Sequence, residues 1–137
     1  MDHFVLDACS VIAFFEKEPG YEKVKELLER ANEGQCIITM NKLNALEIYY
    51  GLYRDDSQAV AELFFTTLNQ LPVLLHDVID DNLFREAGKF KALYRISLAD
   101  SIALAEAKLN DAYLVTSDHH EFDVIEKADT IRFYWIR

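Results

Sequence analysis

Short apolar runs recur along the chain between stretches of helical spacing, and that alternation is what most restricts the fold. The runs are His3–Asp7 (HFVLD), Cys36–Thr39 (CIIT), Pro72–Leu75 (PVLL), Tyr113–Thr116 (YLVT) and Ile131–Trp135 (IRFYW). A strand that is apolar on both faces must be covered on both faces. This predicts an α/β chain with a central parallel sheet and helices on either side. Pro72 stands first in its run, where no ladder donor is lost. A helix is expected from about Ser10. Tyr21–Asn32 carries Val24, Leu27, Leu28 and Ala31 at helical spacing, with Gly34 as the stop. Asn41 is expected to cap a helix running through Tyr53, and a further helix to span Ser57–Asn69. Asp77 is expected to cap a long helix with Ile79, Leu83, Ala87 and Phe90 on one face, and Ser97 to open another over Leu98–Leu109.

The length of 137 residues suits one domain spanning residues 1–137. With 4 Gly and 2 Pro, the connections should be short. No apolar run is long enough to span a bilayer. Met-Asp-His at the start lacks the pattern of a signal peptide, so no membrane association and a cytoplasmic location are expected. Cys9 and Cys36 form no CxxC pair and sit among apolar residues, which predicts buried free thiols. A net charge of −10 argues against a broad basic surface for nucleic acid. It leaves open an enzyme whose acidic cluster is neutralised by a divalent cation, with nucleic-acid contacts supplied locally or by a partner.

In parallel α/β sheets, ligands bind beyond the carboxyl ends of the strands. Asp7 ends the first strand and Asp118 follows the fourth; taken singly, each reads as readily as a turn or cap residue. Glu47 projects beside Leu43, Leu46 and Tyr50 on an apolar helical face. A carboxylate buried there needs a hydrogen bond, a cation or a metal; the alternative is an edge position reaching solvent, Lys42 or Arg54. Ser97-Leu98-Ala99-Asp100 resembles a capping box with Asp in place of Glu. The same first-turn position also carries Asp100 toward the loops above the sheet. Ala99, Ala103, Ala105 and Ala107 would let this helix lie close to the sheet. Four gathered acids raise one another's pKa unless a cation compensates. Hard oxygen donors without a Cys or His cluster favour Mg²⁺ or Mn²⁺ over zinc. His119 and His120 are adjacent and point apart, so they read as solvated loop histidines. Asn44 reads as a helix-surface amide, and Lys89 and Lys91 as a solvated helix end.

The segments VLDACSV, NKLNALEIYYGL, SLADSIALAEA and YLVTSD, in that order, resemble the motifs of the PIN domain. The compact length resembles the VapC-like toxin members of toxin–antitoxin pairs. The resemblance implies strand order 3-2-1-4-5 and metal-dependent endoribonuclease activity on RNA, with the 3′ oxygen leaving and a 5′-phosphate product. It implies Asp7, Glu47, Asp100 and Asp118 as catalytic metal ligands for Mg²⁺ (Mn²⁺ possible), supported by Ser10, Thr116 and Ser117. It also implies frequent homodimers and an antitoxin segment covering the acidic pocket. Tyr49, Tyr50, Tyr53, Phe64 and Phe65 on two successive helices suggest a dimer surface. Two features depart from the commoner pattern: Tyr94-Arg95-Ile96 replaces a Gly-containing turn, and His119-His120 follow Asp118. An aspartyl-phosphate phosphatase needs a second Asp where Cys9 stands. A receiver domain needs paired acids near the first strand end and a late Lys, and neither is found. The remaining alternative is a non-catalytic PIN-like binding module or an RNA-processing subunit in a larger complex. Such a module would usually have lost one of the four acids.

Overall fold

The apolar runs pair side by side. In the computed structural model, which describes residues 1–137, strands β1 (Asp2–Leu6), β2 (Cys36–Asn41), β3 (Leu74–His76), β4 (Tyr113–Thr116) and β5 (Arg132–Trp135) form one sheet. Its order is β3-β2-β1-β4-β5, and every neighbouring pair is parallel. Alternation along β1 explains the two layers. Phe4 and Leu6 face a core with helices α1 (Ala8–Phe15), α2 (Tyr21–Asn32), α3 (Lys42–Asp55) and α4 (Gln58–Gln70). Val5 faces a second core built with α5 (Asp81–Leu93), α6 (Leu98–Leu109) and α7 (His119–Ala128). Helix α6 is the central support of that layer. Every residue from Ser101 to Ala107 is buried, as the small side chains anticipate, and its first turn is thereby held near the strand ends.

Three local expectations are corrected. Strand β3 begins two residues later than expected and pairs Leu74 with Thr39 through His76 with Asn41. Pro72 and Val73 lie in a turn closed by Val73 N–H on the Leu71 carbonyl at 2.7 Å. Helix α5 is capped by Asp80, whose Oδ1 accepts from Leu83 N–H at 2.9 Å, not by Asp77. Ile79 precedes the helix and is exposed. Several cap-competent acids stand in a row here, and only the chain path chooses between them. Finally, His119 and His120 open helix α7 and are not in a loop. That helix buries only Phe122 and Ile125, too few apolar positions to reveal its period.

Gly20 sits at φ +99° against the chain's far end, and a Cβ there would lie 2.5 Å from the Ile136 carbonyl oxygen. Cys36 is buried, whereas Cys9 is only half-buried; both thiols are free. No helix is long and apolar enough to cross a membrane.

Candidate active site

The carboxyl ends of β1 and β4 set the floor of the site. Asp7 follows β1 in extended conformation and caps α1: its Oδ1 accepts the Ser10 N–H at 2.7 Å, and the Ser10 hydroxyl donates to the Asp7 carbonyl at 3.1 Å. The residue is 1% exposed. Burial pushes its carboxyl from 3.8 up to about 6, and the charge of Asp118 adds to the rise. The hydroxyl of Thr116 and the Ser10 N–H and hydroxyl pull it back down. Thr116 is itself fully buried at the end of β4, and its Oγ1 accepts the Asp118 N–H at 3.0 Å. Asp118 in turn caps α7, its Oδ1 accepting the Glu121 N–H at 3.1 Å. Asp7 and Asp118 are therefore both helix caps at the carboxyl ends of neighbouring strands, which leaves one carboxylate oxygen of each outside the cap bond. Ser117 turns elsewhere: its Oγ lies 3.4 Å from Cys9 Sγ.

Helices α3 and α6 bring in the other two acids. Ser97 Oγ accepts the Asp100 N–H at 3.0 Å, which is half of a capping box. The Asp100 carboxyl is driven from 3.8 up to about 7, first by burial and then by the charges of Asp7, Asp118 and Glu47 in that order. All four acids thus act on one region of space. Burial alone raises Glu47. No ion pair reaches Asp7, Glu47, Asp100 or Asp118; the cations proposed for Glu47 are engaged elsewhere, Arg54 on Asp55 and Lys42 over the Phe65 ring.

A polar seam between α3 and α6 fixes the spacing of Glu47 and Asp100. Asn44 is not a surface amide: it is fully buried, and its Nδ2 donates to the Ala99 carbonyl at 3.0 Å. Its Oδ1 is buried without a partner. Asn41 caps α3 through Oδ1 and donates from Nδ2 to Glu106 Oε1 at 3.0 Å. The other Glu106 oxygen meets His76 Nδ1 at 2.9 Å. The role of Glu106 was legible in principle, since a single carboxylate inside the apolar run SIALAEA demands a partner.

The donor set suits a hard cation. Four carboxylates with no ion-pair partner, three of them raised, favour a compensating positive charge, and Asn44 Oδ1 is a buried acceptor without a hydrogen-bond partner. No three His, Cys, Asp or Glu side chains close tightly enough to enclose an ion by themselves. A hard divalent cation that keeps several of its waters takes only one or two carboxylates directly and does not need so closed a cage. Beside Glu47, a groove of about 610 Å³ opens between α1, α3 and α4, walled by Ile12, Phe15, Ile48 and Leu63. Next to Asp118 in the chain, His119 is stacked on Trp135, with ring centroids 3.8 Å apart.

A PIN domain family model matches residues 4–128. Solved structures of similar fold include VapBC-1 from nontypeable Haemophilus influenzae, with 18% identity, 98% of each chain covered and a TM-score of 0.72. A toxin–antitoxin complex from Klebsiella pneumoniae has 15% identity, 97% of each chain covered and a TM-score of 0.68. Mycobacterium tuberculosis VapC20, described as a sarcin-ricin loop cleaving toxin, has 10% identity, covers 88% of this chain and 94% of its own, and has a TM-score of 0.66. No curated protein sequence is a significant match. At these identities the structural likeness is one of fold.

Proposed function

The chain belongs to the PIN domain family, and from that premise we propose that residues 1–137 form a single-domain, Mg²⁺-dependent endoribonuclease, the toxin of a toxin–antitoxin pair. The observation that carries this reading is the gathering of four acids around Asp100, which burial and the charges of Asp7, Asp118 and Glu47 raise to about 7, with no ion pair to any of them. Such an arrangement opposes folding until a proton or a cation compensates it. Asp7, Glu47, Asp100 and Asp118 would hold Mg²⁺, or Mn²⁺ in its place; the bound ion would acidify and orient a water and offset charge on the attacked phosphate. The chain's own groups arrange the rest. Ser10 fixes the Asp7 carboxylate, Thr116 fixes the backbone of Asp118, and Asn44 ties α3 to the first turn of α6. No protein nucleophile is needed. The phosphorus–O3′ bond of RNA breaks, leaving a 5′-phosphate.

An antitoxin protein is the partner this reading requires. The complex from Klebsiella supports it by analogy of fold. A homodimer is part of the same reading, with Tyr50 and Tyr53, 52% and 49% exposed, as its aromatic contacts. Phe64 is not available for that surface, because it is buried and packs edge-on to Phe15. The proposed location is cytoplasmic.

The test is incubation of total RNA with Mg²⁺ and mapping of the cut ends. The parent should produce discrete 5′-phosphate ends. Asp100→Asn should stay folded, because Asn keeps the size of Asp, yet lose at least about a hundredfold in rate. Parental cleavage by Asp100→Asn, with contaminating nuclease excluded by an Asp7→Asn control, would sink the assignment.

A further inference from the structure

At the edge of the site a histidine is held in a way that solvent-exposed histidines are not. The Nδ1 of His119 meets Asp123 Oδ1 at 2.8 Å, and its Nε2 donates to the Arg137 carbonyl oxygen at 2.8 Å. One ring face lies on Trp135, 3.8 Å between centroids and 10° from parallel. Trp135 is stacked in turn on Phe133 at 5.2 Å and 12°, and its Nε1 donates to Glu126 Oε2 at 2.8 Å. Three aromatic planes therefore form one pile along β5, rooted in the core where Phe133 meets the buried Phe122. Both ring nitrogens of His119 and one face are engaged, yet the side chain keeps 47% of its exposure. What remains open is the second face.

The position of that face gives it meaning. His119 directly follows Asp118, and Trp135 pairs in register with Thr116, the residue whose hydroxyl holds Asp118. The pile thus ends one strand away from the carboxylates, at the same edge of the sheet. A chain with a net charge of −10 has little to offer phosphates by counterion release. A flat, fixed, exposed ring offers bases an attraction that does not depend on that charge.

We propose that His119, backed by Trp135 and Phe133, is a stacking platform for one unpaired nucleobase flanking the scissile phosphate. The substrate it selects is single-stranded or looped RNA, since a base inside a duplex has no free face to give. The inference rests on the ribonuclease reading above. Trp135 and Phe133 set the height and tilt of the platform, and the two hydrogen bonds of His119 fix its orientation.

The test uses the parent enzyme with Mg²⁺ and short oligoribonucleotides spanning one mapped cut site, each with a single abasic nucleotide placed in turn. One position beside the cut should lose about fivefold or more in kcat/KM, mainly through KM. His119→Ala should lose a similar factor on the intact oligonucleotide and become indifferent to the abasic position; His119→Phe, which restores a plane, should recover base dependence. Trp135 is the chain's one tryptophan. Its fluorescence, read in Asp100→Asn so that the RNA survives, should respond to the intact oligonucleotide and not to the abasic one. A His119→Ala enzyme that keeps the abasic penalty, or whose loss is the same for every oligonucleotide, overturns the platform while leaving the nuclease intact. A folded parent that cuts no RNA overturns the nuclease reading and the platform with it.

Discussion

Asp7 offers a perturbation whose size and sign follow from the fold. The carboxyl is almost completely buried and titrates at about 6 in place of 3.8. Between those values the folded chain binds this proton more tightly than the unfolded chain does. The stability therefore falls as pH rises through that window and stays lower above it. The difference from 3.8 to about 6 corresponds to about 3 kcal/mol at pH 8. Asn at this position keeps an acceptor for the Ser10 N–H, and Asn caps about as well as Asp. Asp7→Asn should therefore recover about 2–3 kcal/mol in chelator at pH 8, a rise in Tm of about 5–10 °C. Near pH 4 the two proteins should melt together. Circular dichroism melts between pH 4 and pH 8, in chelator, measure this directly, and added Mg²⁺ should raise the parent far more than the variant. A variant that melts below the parent at pH 8, or a difference that ignores pH, would mean that Asp7 is held by its cap alone and that the burial argument fails.

Other substitutions separate architecture from chemistry. Ser97→Ala removes the hydroxyl that accepts the Asp100 N–H and should lower stability by about 1 kcal/mol in a urea melt, with most RNA cleavage retained at low temperature. Asp80→Ala should cost about 1 kcal/mol while Asp77→Ala costs little, because only Asp80 caps α5. If Asp77→Ala proves the more damaging, the assigned start of α5 is wrong. Gly20→Ala combines a left-handed φ with a Cβ 2.5 Å from the Ile136 oxygen. It should destabilise by more than about 1 kcal/mol in the same assay, and a neutral result would contradict the packing of the C-terminus on that turn.

The parallel sheet was legible because most of its strands are apolar on both faces, a pattern with few other uses. Its strand order came from the motifs, not from periodicity. The places of Asp7 and Asp118 beyond β1 and β4 were legible because a strand end followed by an acid is a local feature. The partners of Asn44 and Glu106 were not legible, because they lie thirty or more positions away in sequence. On a helical wheel Asn44 is a polar residue near an edge; in space it faces the Ala99 carbonyl. Helix α7 escaped for a different reason. Two buried residues suffice to anchor it once Asp118 caps it and Trp135 stacks on its first residue, and none of these contacts leaves a period. The aromatics of α3 and α4 divided similarly, with Phe64 in the core and Tyr50 and Tyr53 outside.

Asp7 and Asp118 are the caps of α1 and α7, and Asp100 stands in the first turn of α6. Three helices therefore direct their amino ends toward the same acids. Each such end carries roughly half a positive charge. This charge belongs to the peptide groups, so no side-chain replacement removes it. The polarity of the site is consequently a contest between backbone and side chains of opposite sign. A descendant stripped of its carboxylates would not inherit a neutral site: the amino ends of α1, α6 and α7 would leave positive charge where the acids now stand.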